Sequence, residues 1–169
     1  MRIPFFLLLL ASLSLTEAAE PEVLTLPEDV AGEMEFLNPD YILYRPESEE
    51  TPRPLIVYLH GAGGKGEDVD KAANNVARFR SSMTETVSDA EAVDCWITAP
   101  QCGKGTPGNM GIWMPDDLDR FLAHLKATIS FDPQRVYLTG TSMGGYGSWV
   151  WASHSPRHFA AVAPVVGGL

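Results

Sequence analysis

The sequence predicts an α/β fold in which a mostly parallel β-sheet carries helices on both faces. Apolar, β-branched runs at 55–59 and 159–166 have the composition of strands that are buried on both sides. Between such runs lie segments with helical periodicity, and 115–129 is the clearest, with its leucines, Phe121 and Ile129 on one face. Because strands alternate with helices, consecutive strands are joined by crossovers and are expected to run parallel.

The elements are expected in a simple order along the chain. Segments 34–37 and 41–44 are predicted as an N-terminal antiparallel hairpin, because Asn38-Pro39-Asp40 between them is a turn signal. A connection rich in proline and glutamate follows at 45–54. The remaining elements are a strand at 55–59, a helix near 69–79, a strand at 96–99, a helix at 115–129, a strand at 135–139, a helix to about 153 and a strand at 159–166.

Residues 1–18 have the pattern of a secretory signal peptide. Arg2 precedes an apolar run over 5–15, and the small residues at 16–19 resemble a cleavage site. The run is too short to cross a hydrocarbon core of about 30 Å comfortably. We therefore expect 19–169 to be a secreted or periplasmic product with no membrane attachment after cleavage; an uncleaved anchor is the alternative.

Charge and cysteine content limit the possible partners. The chain has 169 residues and a formal net charge of −10, which disfavours nucleic acid and anionic membranes as partners. No motif predicts a cofactor or a metal, because the histidines are scattered and C-x-x-C does not occur. Cys95 and Cys102 lie about 23 Å apart if the strand between them rises about 3.3 Å per residue. Two thiols are expected, or pairing with a cysteine outside this chain.

A G-x-S-x-G motif at 140–144 is placed where a nucleophile would be expected. It follows the strand at 135–139 directly and precedes a helix. A sharp strand-to-helix turn projects a serine hydroxyl above the sheet, and its strained backbone needs small neighbours. Ser142 is therefore the predicted nucleophile, beside a helix N-terminus that favours developing negative charge. The alternative is a glycine-rich packing turn with a solvated serine.

A second glycine-rich loop, with the sequence HGAGG at 60–64, follows the strand at 55–59. Glycines allow backbone amides to approach a bound oxygen closely. We expect the amide of Ala62, with Gly61 and Gly63 as neighbouring possibilities, to join that of Met143 in an oxyanion hole.

The same loop satisfies G-x-G-x-x-G over 61–66, so a nucleotide-binding module is a rival interpretation. Acidic residues at 67, 68 and 70 crowd the place where a pyrophosphate would bind. A ribose-binding acid about 20 residues further on is not evident either, which counts against this interpretation.

These motifs together resemble the α/β-hydrolase superfamily. The resemblance rests on the HGAGG loop, on DPQRVYLTGTSMGGYG at 132–147 and on AVAPVVGG at 161–168. Within the superfamily, it is closest to secreted carboxylesterases of the feruloyl-esterase and polyhydroxybutyrate-depolymerase type and to their predicted-peptidase relatives. It covers about 41–169.

The resemblance also implies roles for single residues. Ser142 would be the nucleophile, and the amides of Met143 with Ala62 or Gly63 would be the oxyanion donors. His60 would orient the oxyanion loop. The resemblance implies in addition that Gln101 and the loop through Trp113 border the substrate cleft.

The triad pattern of the superfamily is not complete in this chain. Its order is Ser, then Asp or Glu, then His, yet no acidic residue follows Ser142. His154 is expected about 18 Å further along the helix, and His158 lies beyond it. His124 is expected on a solvated helix face, and the charges expected at the start of that helix are Asp116, Asp117 and Asp119.

The chain is accordingly expected to be the N-terminal portion of a single α/β-hydrolase domain, with the triad acid and base missing from it. The strand at 159–166 would then form an exposed apolar edge. The expected function is a secreted serine hydrolase acting on small or polymer-linked carboxylic esters. A prolyl-oligopeptidase-like serine peptidase is the alternative among enzymes, and a catalytically dead remnant is the alternative outside them.

Overall fold

The computed structural model describes residues 20–88, 93–103 and 113–167. The predicted signal peptide at 1–18 and most of the loop before Trp113 lie outside these ranges. The strands are β1 (Glu22–Thr25), β2 (Leu37–Tyr44), β3 (Arg53–Leu59), β4 (Trp96–Cys102), β5 (Phe131–Thr141) and β6 (Ala161–Val165). The α-helices of the described ranges are α1 (Glu28–Ala31), α2 (Val69–Thr86), α3 (Pro115–Thr128) and α4 (Met143–His154).

One six-stranded sheet has the order β1-β2-β4-β3-β5-β6. Strand β3 pairs in parallel with β4 and β5, and β6 pairs in parallel with β5. Strand β2 is antiparallel to both β1 and β4. The predicted fold class, a mostly parallel sheet with an antiparallel N-terminal pair, is confirmed.

The segments that form the antiparallel pair differ from the prediction. Its first strand is β1, not 34–37, and Asn38-Pro39-Asp40 is extended inside β2 instead of turning. Asp40 pairs with Thr25, and the carbonyl of Pro39 accepts a hydrogen bond from the amide of Leu26 at 2.9 Å. The register of β2 against β4 shifts between Leu37 and Tyr41. A proline is tolerated at such an irregularity because its missing N–H interrupts no regular ladder.

Helices cover both faces of the sheet, as predicted. Helix α3 buries Leu118, Phe121, Leu122 and Leu125 in the larger apolar cluster, which also contains Trp151 of α4. Each fully buried side chain of this size contributes about 1.5–3 kcal/mol relative to exposure. On the other face, α2 buries Val76 against a smaller cluster of β2, β3 and β4 residues. None of the helices in the described ranges combines the length and hydropathy needed to cross a bilayer.

The predicted thiols are present, although the strand that separates them is longer than expected. Strand β4 is buried along its whole length and continues through Pro100 and Gln101 to Cys102. Cys95 and Cys102 are both buried and are not joined in a disulfide. Burial raises the pKa of the Cys95 thiol to about 11, so this sulfur stays protonated and unreactive near neutral pH.

Candidate active site

Ser142 occupies the sharp turn between β5 and α4. Its backbone has φ 57° and ψ −113°, a conformation that side-chain-bearing residues rarely adopt and that matches the first central residue of a type II′ turn. The amide of Ser142 donates to the carbonyl of Val165 in β6 at 2.9 Å, and its carbonyl accepts from the amide of Tyr146 at 3.0 Å. The side chain is exposed. The turn is therefore held on both sides while the serine faces solvent.

Close backbone packing around this turn requires glycine. A Cβ at Gly140 would lie 2.5 Å from the carbonyl oxygen of Gly144. A Cβ at Gly144 would lie 2.8 Å from the carbonyl oxygen of His60 and would overlap that of Leu59. The first turn of α4 thus rests directly on the end of β3, which explains the small residues of the G-x-S-x-G motif.

The loop after β3 adjoins the Ser142 turn. It forms a 3-10 turn over Ala62–Gly64, in which the amide of Gly64 donates to the carbonyl of Gly61 at 2.9 Å. A Cβ built on Gly61 would lie 3.7 Å from Cβ of Ser142. The two glycine-rich segments found in the sequence therefore meet at one edge of the sheet.

The backbone amides at this edge that have no backbone acceptor within the described ranges include those of Ala62, Gly63 and Met143. Ala62 and Gly63 are exposed, and a Cβ on Gly63 would meet nothing within 4 Å. Met143 is the first residue of α4, where amides have no intrahelical partner. These amides can donate hydrogen bonds to an oxygen with partial negative charge, and the helix dipole of α4 favours such a charge at this place.

His60 is buried beneath the loop and uses both ring nitrogens. Its Nε2 accepts a hydrogen bond from the amide of Cys102 at 3.1 Å, so the proton is on Nδ1, which donates to the carbonyl of Gly61 at 2.7 Å. The ring contacts Trp113 edge-on, with centroids 4.7 Å apart. Burial lowers the pKa of His60 to about 4. A neutral, fully bonded imidazole fastens the loop to β4 and has no free nitrogen for Ser142.

Gln101 lies under the loop and does not border a cleft, contrary to the expectation. It is fully buried, and its Nε2 donates to the carbonyls of Gly64 and Asp68, each at 2.7 Å. Its Oε1 accepts from Nδ2 of Asn38 at 2.9 Å. The sequence signal for this role is the amide side chain near the end of the mostly apolar β4. Asn38 was missed because its segment was interpreted as a turn.

Trp113 is buried between His60 and the first turns of α4. Its ring packs on His60, and a Cβ on Gly147 would lie 2.5 Å from Cγ of Trp113. The loop that precedes Trp113 was expected to border the cleft, and it falls outside the described residues at 104–112.

The histidines that follow Ser142 are at the far end of α4, as expected from the helical rise. His154 Nε2 is 3.4 Å from Oδ1 of Asp116, and His158 Nε2 is 3.3 Å from Oδ1 of Asp119. The Asp119 carboxylate also accepts from Trp151 Nε1 and from a serine hydroxyl, each at 2.7 Å. These groups fasten α4 to α3 and are not part of the Ser142 edge.

Two residues of α3 differ from their expected surroundings. Asp117 is buried and accepts the amide of Phe36 at 2.7 Å, so it anchors the segment before β2 and is more than a helix-start charge. His124 is half-buried with its ring edge-on to Tyr41, and burial lowers its pKa. Neither was visible in the sequence, because both contacts come from segments about 80 residues away.

Comparison with known proteins gives a consistent set of relatives, although no protein-family model matches the chain. The chain is 29% identical over 127 residues to poly(3-hydroxyalkanoate) depolymerase C of Paucimonas lemoignei, which covers 68% of this chain and 28% of the relative. It is 32% identical over 126 residues to NocK of Nocardia uniformis subsp. tsuyamanensis, covering 69% of this chain and 33% of NocK. The chain therefore spans about a third of the length of these curated relatives.

Solved structures are similar over most of the described chain. The structure of a thermostable esterase matches with a TM-score of 0.65 and 26% identity, over 90% of this chain and 42% of that one. An acylaminoacyl peptidase matches with a TM-score of 0.52 over 86% of this chain and 23% of that one, and at 20% identity this likeness concerns the fold alone.

Proposed function

Because the chain belongs to the α/β-hydrolase superfamily, we propose that it is the nucleophile-bearing part of a serine hydrolase that cleaves carboxylic esters. The observation that carries the proposal is the exposed Ser142 on a positive-φ turn beside three backbone amides without backbone acceptors. A strained nucleophile next to preorganised donors is what acyl transfer requires. The named depolymerase and the thermostable esterase favour an ester over a peptide bond as the substrate.

In the proposed reaction, Oγ of Ser142 attacks the ester carbonyl carbon and transfers its proton to a general base. The carbonyl oxygen becomes the oxyanion, which accepts hydrogen bonds from the amide of Met143 and from that of Ala62 or Gly63. Collapse of the tetrahedral intermediate breaks the ester C–O bond, and the alcohol leaves with the proton from the base. In the second half of the reaction, the base takes a proton from water, which attacks the acyl carbonyl carbon. The bond to Oγ of Ser142 then breaks, and the serine recovers its proton from the base.

His60, His154 and His158 do not serve as the base of this reaction. His60 has both ring nitrogens engaged, and burial lowers its pKa to about 4, so it is a poor proton acceptor. His154 and His158 are bound to carboxylates of α3 at the opposite end of α4. The described chain would thus supply the nucleophile and the oxyanion hole.

We further propose that the protein is exported, on the strength of the signal-peptide pattern at 1–18. N-terminal sequencing of the protein recovered outside the cytoplasm should begin at Ala19 or Glu20. A first residue of Met1 in the exported protein would contradict cleavage.

A fluorophosphonate probe together with chromogenic short-chain esters tests the proposed activity. The full-length protein should be labelled and should hydrolyse the esters, and Ser142→Ala should abolish both. Ser82→Ala is the matched control, because Ser82 is exposed on α2, away from the site. A folded protein that is not labelled at Ser142 would favour a non-catalytic remnant, and faster cleavage of matched peptide amides than of esters would favour a peptidase.

A further inference from the structure

Two buried amide side chains lie together beneath the loop that carries the proposed oxyanion donors. Gln101 comes from β4 and Asn38 from its neighbour β2, and they are joined by the 2.9 Å hydrogen bond from Nδ2 of Asn38 to Oε1 of Gln101. Gln101 has no exposed surface. An amide buried this deeply is costly unless its polar atoms are bonded, so the identity of its partners shows what it does.

All the remaining bonds of the pair go to one loop. Nε2 of Gln101 donates to the carbonyls of Gly64 and Asp68, each at 2.7 Å. Nδ2 of Asn38 donates to the carbonyl of Gly66. The pair therefore holds three alternate carbonyls, those of Gly64, Gly66 and Asp68, which begin at the last residue of the 3-10 turn at Ala62–Gly64.

His60, at the start of the same loop, is bound to β4 because its Nε2 accepts the hydrogen bond from the amide of Cys102. The segment from 60 to 68 is thus attached at its start by one imidazole. Over its second half it is held by the two side-chain amides and by the hydrogen bond from the amide of Gly66 to the carbonyl of Cys102 at 3.0 Å. The donors proposed at Ala62 and Gly63 lie between these attachment points, and those two residues are exposed. Because Ala62 and Gly63 are exposed, the position of their amides relative to Ser142 depends mainly on these attachments and less on contacts of the two residues themselves.

We propose that Asn38 and Gln101 are positioning residues of the oxyanion hole: they hold the loop so that its amides meet the oxygen that becomes negative in the transition state. This inference rests on the proposed function. Oxyanion donors act mainly when charge develops, so a displaced loop lowers kcat and leaves KM nearly unchanged. A pair that served stability alone would lower the folded fraction without changing kcat of the folded enzyme.

The test uses Gln101→Met and Asn38→Leu in the full-length protein, each of similar volume and without donors. Folding is checked by circular dichroism and thermal melting before ester kinetics. Each variant should lower kcat about ten- to a hundredfold, with KM within about twofold. The double variant should be little worse than either single one, because both act through one loop.

Thr98→Val is the matched control. Thr98 is a fully buried polar residue on the same strand, but its hydroxyl donates to the carbonyl of Ile42 at 3.0 Å and does not touch the loop. Its kcat should remain at the wild-type value even if its melting temperature falls.

The inference is overturned if folded Gln101→Met and Asn38→Leu keep wild-type kcat, if Thr98→Val loses as much, or if neither loop variant folds. One folded variant is enough for the measurement. An active Ser142→Ala protein would instead overturn the proposed function. An inactive Ser142→Ala protein beside fully active loop variants would overturn this inference alone.

Discussion

Replacing Ser142 with glycine should give a more stable protein than replacing it with alanine, although both variants lack the hydroxyl. At φ 57° and ψ −113°, the Cβ of any L-residue is strained, and glycine has no Cβ. The two variants therefore differ in backbone strain and not in the loss of the hydroxyl. This comparison isolates the energy stored in the turn.

The expected magnitude follows from two opposing effects. An L-residue in such a conformation costs about 1–3 kcal/mol. Glycine loses about 0.5–1 kcal/mol relative to alanine through its greater freedom in the unfolded chain. The glycine variant should thus have a free energy of unfolding about 1 kcal/mol above that of the alanine variant, and at most about 2.5 kcal/mol above it. The hydrogen bonds from Ser142 N to Val165 and from Tyr146 N to Ser142 involve only backbone atoms, so they remain in both.

Urea unfolding followed by circular dichroism measures the difference. Ser82 provides the matched control, because it is exposed and lies in the interior of α2, where ordinary helical geometry applies. At Ser82 the order should be reversed, with glycine about 1 kcal/mol less stable than alanine. If glycine is no more stable than alanine at Ser142 while Ser82 behaves as expected, the turn stores no strain and the reasoning is wrong.

Three other predictions follow from contacts described above. Gly144→Ala should lower the free energy of unfolding by about 2 kcal/mol or more, because overlap with the Leu59 carbonyl exceeds the helix-propensity gain of about 1 kcal/mol. Gly63→Ala, in open space, should change the free energy of unfolding by less than about 1 kcal/mol. Equal melting temperatures of the two variants would contradict this difference. Burial lowers the pKa of His60 to about 4 in the folded protein, below about 6.5 in the unfolded chain, so the unfolded chain binds the extra proton and stability should fall by about 2 kcal/mol between pH 7 and 5. His60→Gln should flatten this dependence in urea titrations, and an unchanged slope would exclude His60 as its source. The 169-residue chain should associate as its concentration rises, because β6 is an apolar edge among the described strands with Val165 51% exposed. Sedimentation should show less association for Val165→Lys than for the unsubstituted chain, and equal association of the two would place the contact elsewhere.

Local sequence signals were sufficient for most of the sheet and for the strand-to-helix turn at Ser142. The apolar runs of β3 and β4 and the periodicity of α3 reflect burial, which each segment carries in its own composition. Ser142 was identifiable because the turn geometry demands glycine within two residues on either side.

The errors all concern contacts between distant segments. Asn38-Pro39-Asp40 has turn chemistry, yet pairing with β1 and a register shift against β4 keep it extended. Gln101 was assigned to a cleft wall, and its actual partners are carbonyls of a loop more than 30 residues earlier. The buried role of Asp117 depends on amides about 80 residues away. No local pattern encodes such partners, because they are determined by which elements the sheet places side by side.

The strand order also describes how the sheet can form during synthesis. β1, β2, β3 and β4 are contained within residues 22–102, and they are the contiguous block β1-β2-β4-β3. At about 5–20 residues per second, a nascent chain has several seconds to pair these strands before β6 is translated. Strand β5 then adds to β3, and β6 adds to β5. Because the amide of Ser142 bonds to Val165 of β6, the turn at Ser142 is completed only after β6, the last of the described strands, has been translated and has added to the sheet.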